Sequence, residues 1–385
     1  MATSSIPVMD DPILRELSIL ANDPYDRMRQ IREESGQKII GSPLVDVPEE
    51  LIHAAGMLPF TILGTNRPIR RAGSLLPDNA CSLSRSDLEL VLSYETAFFD
   101  GFVIPEIDDT TQHVADLWRR KVPASLFEYY LIPRQVDRPS ARHWLLDETE
   151  RLKESLERFT GRLISDEDLI RSITLYNENR RMLRRIYDLK RRDPHLIPNR
   201  TFFELIKSSL FLPKEMHNRY LADVLSRLEP EEASTEPVSL RFILAGVVWE
   251  PPAVMSILDE TGINVVGDDL CTGTRSIDTD VPTDRPPVEA LVERHFNKGP
   301  FSPINDKENR LVKNIISLVK QYDAHAILYL HLKFFESQDY DLPDLKRAMK
   351  EEGIPIHVLD TEYQTTHLAQ MKTRIQAFAE SLRGV

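Results

Sequence analysis

Three loops gather the residues of this chain that could do chemistry. The first is Pro77-Asp78-Asn79-Ala80-Cys81-Ser82. The second, Pro105-Glu106-Ile107-Asp108-Asp109-Thr110-Thr111, follows a very apolar run. The third is Gly267-Asp268-Asp269-Leu270-Cys271-Thr272-Gly273-Thr274-Arg275. Thiolates and carboxylates are anionic donors for transition metals, and thiolate is the soft one that selects iron–sulfur chemistry. The same residue types have a plainer use: Asp108, Asp109 and the two threonines are helix-capping residues placed where a helix should start. Arg275 can hold a phosphate or form an internal ion pair with Asp268 or Asp269. His53, one turn into an apolar helix, is either an acid–base group or a packed ring. Cys81 and Cys271 are the only cysteines in 385 residues. That count excludes a disulfide framework and a four-thiolate zinc or iron–sulfur site built by this chain alone.

The elements that must position these loops alternate. Residues 11–34 read as a helical lead-in broken at Asn22-Asp23-Pro24. Lys38–Gly41, Leu58–Gly64, Ala97–Pro105 and Leu126–Leu131 read as strands. Between the first two lies a helix, Pro48–Gly56, with proline at its start and glycine at its end. Residues 140–228 are almost wholly helical, punctuated near Gly161 and Asp193-Pro194. The acidic, proline-rich stretch Glu229–Pro237 reads as a linker. Strands then resume at Leu240–Val248, Gly262–Gly267, Ala326–Leu330 and Pro355–Leu359, with helices at Met255–Glu260, Lys307–Tyr322, around Leu345 and Thr373–Leu382. The fold class is therefore α/β: two domains with parallel sheets, residues 36–228 (with a helical extension) and 229–385, after a helical segment 1–35. In such sheets ligands lie beyond the carboxyl ends of the strands, where the three loops stand.

Composition narrows the function. A net charge of −13 opposes nucleic-acid binding. No apolar stretch approaches the roughly 20 residues of a membrane span, and Met1–Pro7 lacks the basic and apolar regions of a signal peptide. The expectation is a soluble cytoplasmic protein with reduced thiols. There is no GxGxxG, GxxxxGK(S/T), HExxH or GxSxG, so the common phosphate loops, zinc helix and nucleophile elbow are absent. The basic run Arg180, Arg181, Arg184, Arg185, Lys190, Arg191 and Arg192 falls on a helix whose buried stripe is Ile173, Tyr176, Leu183, Ile186 and Tyr187, which puts the arginines on the solvated face.

Three ordered stretches carry a family resemblance: Val47–Pro59 with its Pro-Glu-Glu-Leu-Ile-His-Ala-Ala-Gly, Phe99–Pro105, and Ile263–Arg275, joined by Gly353-Ile354-Pro355 and Thr373–Phe378. From about residue 36 to its end the sequence resembles the subunits of (R)-2-hydroxyacyl-CoA dehydratases and of the homologous ATP-dependent benzoyl-CoA reductases. The resemblance implies two flavodoxin-like domains, a heterodimer of related subunits, a CoA thioester substrate, and a 4Fe–4S cluster between the domains. An ATP-dependent activator protein supplies a low-potential electron, which in the dehydratases yields a ketyl radical and in the reductases enters an aromatic ring. It places Glu50 near the substrate's hydroxyl or carbonyl, a role to weigh against simple stabilisation at a helix start. It offers CoA phosphates as ligands for Arg275 and for the basic run. Of the family's three cluster cysteines, Cys81 stands at the first position, Asp108 at the second and Phe335 at the third. Two arrangements follow. In one, the chain is the partner of a cluster-bearing homologous subunit, or an interaction subunit without a cluster. In the other, Cys81, Asp108 and Cys271 hold an atypical cluster.

Overall fold

A computed structural model describes residues 11–44, 46–65, 67–93, 97–231, 240–305, 307–363 and 367–383. Two helices lead in, α1 (Pro12–Asn22) and α2 (Tyr25–Ser35). The first sheet region follows: β1 (Ile39–Pro43), α3 (Glu49–Ala54), β2 (Leu58–Ile62), α4 (Ser82–Val91), β3 (Gly101–Pro105), α5 (Asp109–Lys121) and β4 (Leu126–Tyr130). Four helices continue, α6 (Pro139–Thr160), α7 (Asp166–Arg192), α8 (Asn199–Ser208) and α9 (Lys214–Leu228). The second sheet region is β5 (Arg241–Gly246), α10 (Ala253–Glu260), β6 (Asn264–Asp269), α11 (Thr274–Ile277), α12 (Pro287–Asn297), α13 (Arg310–Gln321), β7 (Ala326–Leu332), α14 (Glu336–Glu351), β8 (Ile356–Thr361) and α15 (Leu368–Arg383).

Both sheets are parallel and four-stranded, ordered β2-β1-β3-β4 and β6-β5-β7-β8. The expected α/β class with two flavodoxin-like sheets is what the chain adopts. Every residue of β1, β2 and β3 is buried, as parallel strands covered by helices on both faces must be. In each sheet the chain leaves the first strand in one direction for the second and in the other for the third. The switch-point crevices therefore lie between the carboxyl ends of β1 and β3, and of β5 and β7.

Local chemistry sets the ends of elements. The Asp11 carboxylate accepts from the amides of Ile13 and Leu14 at 2.9 and 3.1 Å to start α1. Ser165 and Asp168 form a capping box on α7. The third strand is shorter than its apolar run: β3 begins at Gly101, and Phe98 and Phe99 pack instead against Phe60 at centroid distances of 6.1 and 5.4 Å. The Asp100 side chain accepts from the amide of Ile39 at 3.0 Å and pins the chain at the strand's edge. Of the stretch read as a linker, residues 232–237 lie outside the described residues, as do Met1–Pro7. Among the described residues no helix is long and apolar enough to cross a membrane.

Candidate functional site

The switch-point crevice of the first sheet is a small closed pocket. Pro43 and Leu44 enter it from β1, Ile104 and Asp108 from β3, Cys81 from the start of α4, and Phe335 from beyond β7 in the second sheet. The three positions singled out for the cluster thus converge on one point. Their chemistry differs sharply. Cys81 is buried, and burial, reinforced by the nearby Asp108 charge, pushes its thiol up to about 11. Asp108 is the N-cap of α5 and accepts from the Thr111 amide at 2.7 Å. Phe335 is 4% exposed and lines the same pocket with its ring. Asp87 lines it too, its carboxyl raised well above the usual range by burial although the Gly64 amide donates to it at 2.6 Å. The free volume is about 20 Å³, room for a single water.

This donor set does not fit a 4Fe–4S cluster. It offers a single thiol, one carboxylate engaged in capping a helix, and a phenyl ring with no lone pair. Among the described residues no group of three or more His, Cys, Asp and Glu is arranged to hold a metal ion. Cys271 does not join Cys81. It is buried in a separate pocket with Asp46, His295, Lys298 and Phe301, where burial pushes its thiol up to about 12.

Glu50 sits in a second polar pocket, between α3, α7, α9 and α12. Its carboxylate accepts from the guanidinium of Arg180, whose Nη1 donates to Asn177 Oδ1 at 2.7 Å. Burial would raise the Glu50 carboxyl, but the charges of Arg180 and Arg294 hold it at about 2. Such a group is ionised throughout the physiological range; it can orient a cation or accept a hydrogen bond but has no proton to donate. His53 contacts Ser172 Oγ at 3.0 Å and Glu215 Oε1 at 3.1 Å, with its ring edge-on to Tyr176. Lys214 pairs with Glu49 at 3.1 Å.

The basic run is split: Arg181, Arg185, Arg191 and Arg192 lie on the exposed face as expected, but Arg180 and Lys190 are buried and Arg184 is half-buried. Arg180 is 6% exposed in the Glu50 pair. Lys190 is fully buried and donates to the carbonyls of Pro194 and Ile197 at 2.7 and 2.5 Å, and burial draws its ammonium down to about 7. Arg184 reaches Asp280 at 2.9 Å. The reason is topological: α7 touches α3, α9, α11, α12 and β6, so it has several buried faces and not one stripe. Arg294, which donates to the carbonyls of Thr279 and Ser276 at 2.8 and 2.7 Å, belongs to the Glu50 pocket without any sequence signal that could have found it.

The third loop is organised around Asp268. The amides of Leu270 and Thr274 donate to its Oδ1 at 3.2 and 2.8 Å, and Tyr187 donates its hydroxyl to Oδ2. Burial raises this carboxyl to about 6. Gly273 is required here, because a Cβ at that position would collide with Asp268 Oδ1. Arg275 makes the internal pair, its Nε donating to Asp269 at 2.8 Å. The candidate residues therefore fall into three groups: Cys81 with Asp108, Glu50 with His53 nearby, and Cys271 with Arg275.

Known proteins are similar in sequence to this chain along nearly its whole length. The (R)-phenyllactyl-CoA dehydratase beta subunit of Clostridium sporogenes is 28% identical over 97% of this chain and 99% of its own length. A benzoyl-CoA reductase subunit of Thauera aromatica is 27% identical over 100% and 99%. The beta subunit of the lactoyl-CoA dehydratase of Anaerotignum propionicum is 27% identical over 97% and 99%. Residues 44–382 match the family described as 2-hydroxyglutaryl-CoA dehydratase, D-component, a span that begins just after β1 and holds the other seven strands and all three loops. The chain belongs to this family.

Proposed function

We propose that the chain is the companion subunit of a cytoplasmic (R)-2-hydroxyacyl-CoA dehydratase, which removes water to give a 2-enoyl-CoA. In this reading a homologous subunit holds the 4Fe–4S cluster and an ATP-dependent activator supplies the electron. The names of the relatives support the CoA thioester and a place in a multi-subunit enzyme. The observation that carries the division of labour is the pocket of Cys81, Asp108 and Phe335, whose donors are wrong for a cluster. Glu50 and His53 then act as positioning groups, Glu50 by holding Arg180 beside Arg294.

The test is anaerobic purification of the chain alone and with its companion, followed by iron, sulfide and turnover. The chain alone should carry no stoichiometric iron, and enoyl-CoA should form only when the companion and activator are added. About four irons per chain in the isolated protein would overturn this division. Turnover of an aromatic thioester and not a 2-hydroxyacyl one would move the chain to the reductase branch. A complex whose activity is the same without this chain would leave it an interaction subunit.

A further inference from the structure

Among the described residues, four that are not glycine have backbone in the left-handed region: Leu44, Asn309, Asp323 and Phe334. Asparagine and aspartate are the types that tolerate it. Leucine and phenylalanine are not, and both stand at one place. Leu44, at φ 56°, lines the switch-point pocket from the end of β1. Phe334, at φ 65°, immediately precedes Phe335, whose ring enters the same pocket. Among the described residues that line this pocket, Phe335 alone comes from the second sheet region. Phe334 is 44% exposed, so its left-handed turn leaves one aromatic ring in water and places the next beside Cys81. Strained backbone of this kind persists only where its surroundings impose it, and it collects at clamps and switches.

The surroundings divide into a fixed frame and a short loose segment. Gln338, fully buried in α14, accepts from the Leu332 amide at 2.8 Å and donates to the Leu330 carbonyl and the Tyr329 hydroxyl, each at 3.1 Å. The end of β7 and the first turn of α14 are thereby one piece. Residues 333–335 between them are held by less. The Lys333 amide donates to the Thr361 carbonyl at 3.0 Å, and its ammonium pairs at 2.6 Å with the half-buried Glu362. The peptide groups of Phe335 close turns onto Leu332 and Gln338 at 3.1 and 3.0 Å. We infer that residues 333–335 are a gate. Relaxation of Phe334 out of the left-handed region turns the segment and withdraws the Phe335 ring, which opens the switch-point crevice of the first sheet as far as Cys81. That crevice is where a sheet of this kind takes a ligand, so the gate governs entry to it. The inference goes beyond the proposed function and does not depend on which subunit holds a cluster.

The experiment is slow alkylation of Cys81 by excess iodoacetamide in the full folded chain. It is followed over hours by peptide mass at one pH and at several urea concentrations below the unfolding transition. Labelling should be far slower than that of free cysteine, because the closed state dominates. Its rate should be nearly independent of urea, since turning three residues exposes little surface, whereas labelling through global unfolding climbs with the full slope of the equilibrium transition. Two substitutions at the exposed Phe334 leave the core packing alone and should move the rate in opposite directions. Phe334→Asn eases the left-handed backbone and should slow Cys81 labelling roughly fivefold. Phe334→Val, which is β-branched, makes that backbone costlier and should speed it several-fold. A Cys81 rate in the parent that follows the full urea slope of unfolding would overturn the gate, and so would a rate that neither substitution moves.

Discussion

Burying Glu50 against Arg180 takes two charges out of water, and the pair persists because each group satisfies the other and Asn177 holds the guanidinium. Removing one partner leaves the other charged and buried. Glu50→Gln should therefore destabilise the chain by about 3 kcal/mol, read as a shift of the urea midpoint, while the double replacement Glu50→Leu with Arg180→Met should recover most of that loss. The pH dependence has a definite sign. The folded carboxyl lies at about 2 and the ordinary value is 4.5, so its contribution is complete above 4.5 and drains away as pH falls toward 2. Glu50→Gln should lack that part of the acid slope; an identical slope in both proteins would mean the pair is not formed. Cysteine chemistry is equally defined at this scale. Both thiols are buried and pushed up to about 11 and 12, so a disulfide reagent at pH 8 should titrate neither in the native chain and both, 2 per chain, in denaturant. A native thiol that reacts like free cysteine would contradict the closed pocket around Cys81.

At the scale of elements, the α4 and α5 starts and the turn before α14 decide what the switch-point pocket can be. Asp108→Ala removes an N-cap and should cost about 1 kcal/mol. Phe335→Ala empties a buried ring's volume and should cost about 3–5 kcal/mol, with Phe335→Leu much milder. Thermal melts of the three variants would show whether the pocket is held by packing, as this ordering requires. The strands are legible in the sequence because eight short apolar runs between turn and capping residues can be little else; Gly101–Pro105 is among them, although its apolar run continues back to Ala97. What periodicity does not show is that Phe98 and Phe99 pack as an aromatic cluster with Phe60 across the sheet. Nor does it show that α7 has more than one buried stripe. The partner of Arg180 is 130 residues away in sequence, and nothing local in a basic run announces a distant carboxylate. The loops that matter are legible as a set, since all follow strands; their grouping into three separate sites is not, because that depends on how two sheets face one another.

For the whole molecule, α7 is the member that ties the two sheets together. Tyr187 donates to Asp268 at the end of β6, Arg184 reaches Asp280, and Asn177 makes a closed pair of bonds with the backbone of Val281. In that pair the Asn177 amide donates to the Val281 carbonyl at 2.9 Å and its oxygen accepts from the Val281 amide at 2.8 Å. No other residue type of similar size offers a donor and an acceptor in one plane. The same Asn177 oxygen also accepts from Arg180, so the joint between the sheet regions and the Glu50 pocket share one side chain. Asn177→Ala should therefore act at two distances. It should lower stability by about 1–3 kcal/mol, because two buried backbone groups lose their partners. It should also raise amide exchange at Val281 and along the 276–282 segment, while the strands β1 to β4 exchange as before. Exchange that rises uniformly over both sheets would mean α7 stabilises the chain as a whole and does not serve as the joint between its halves.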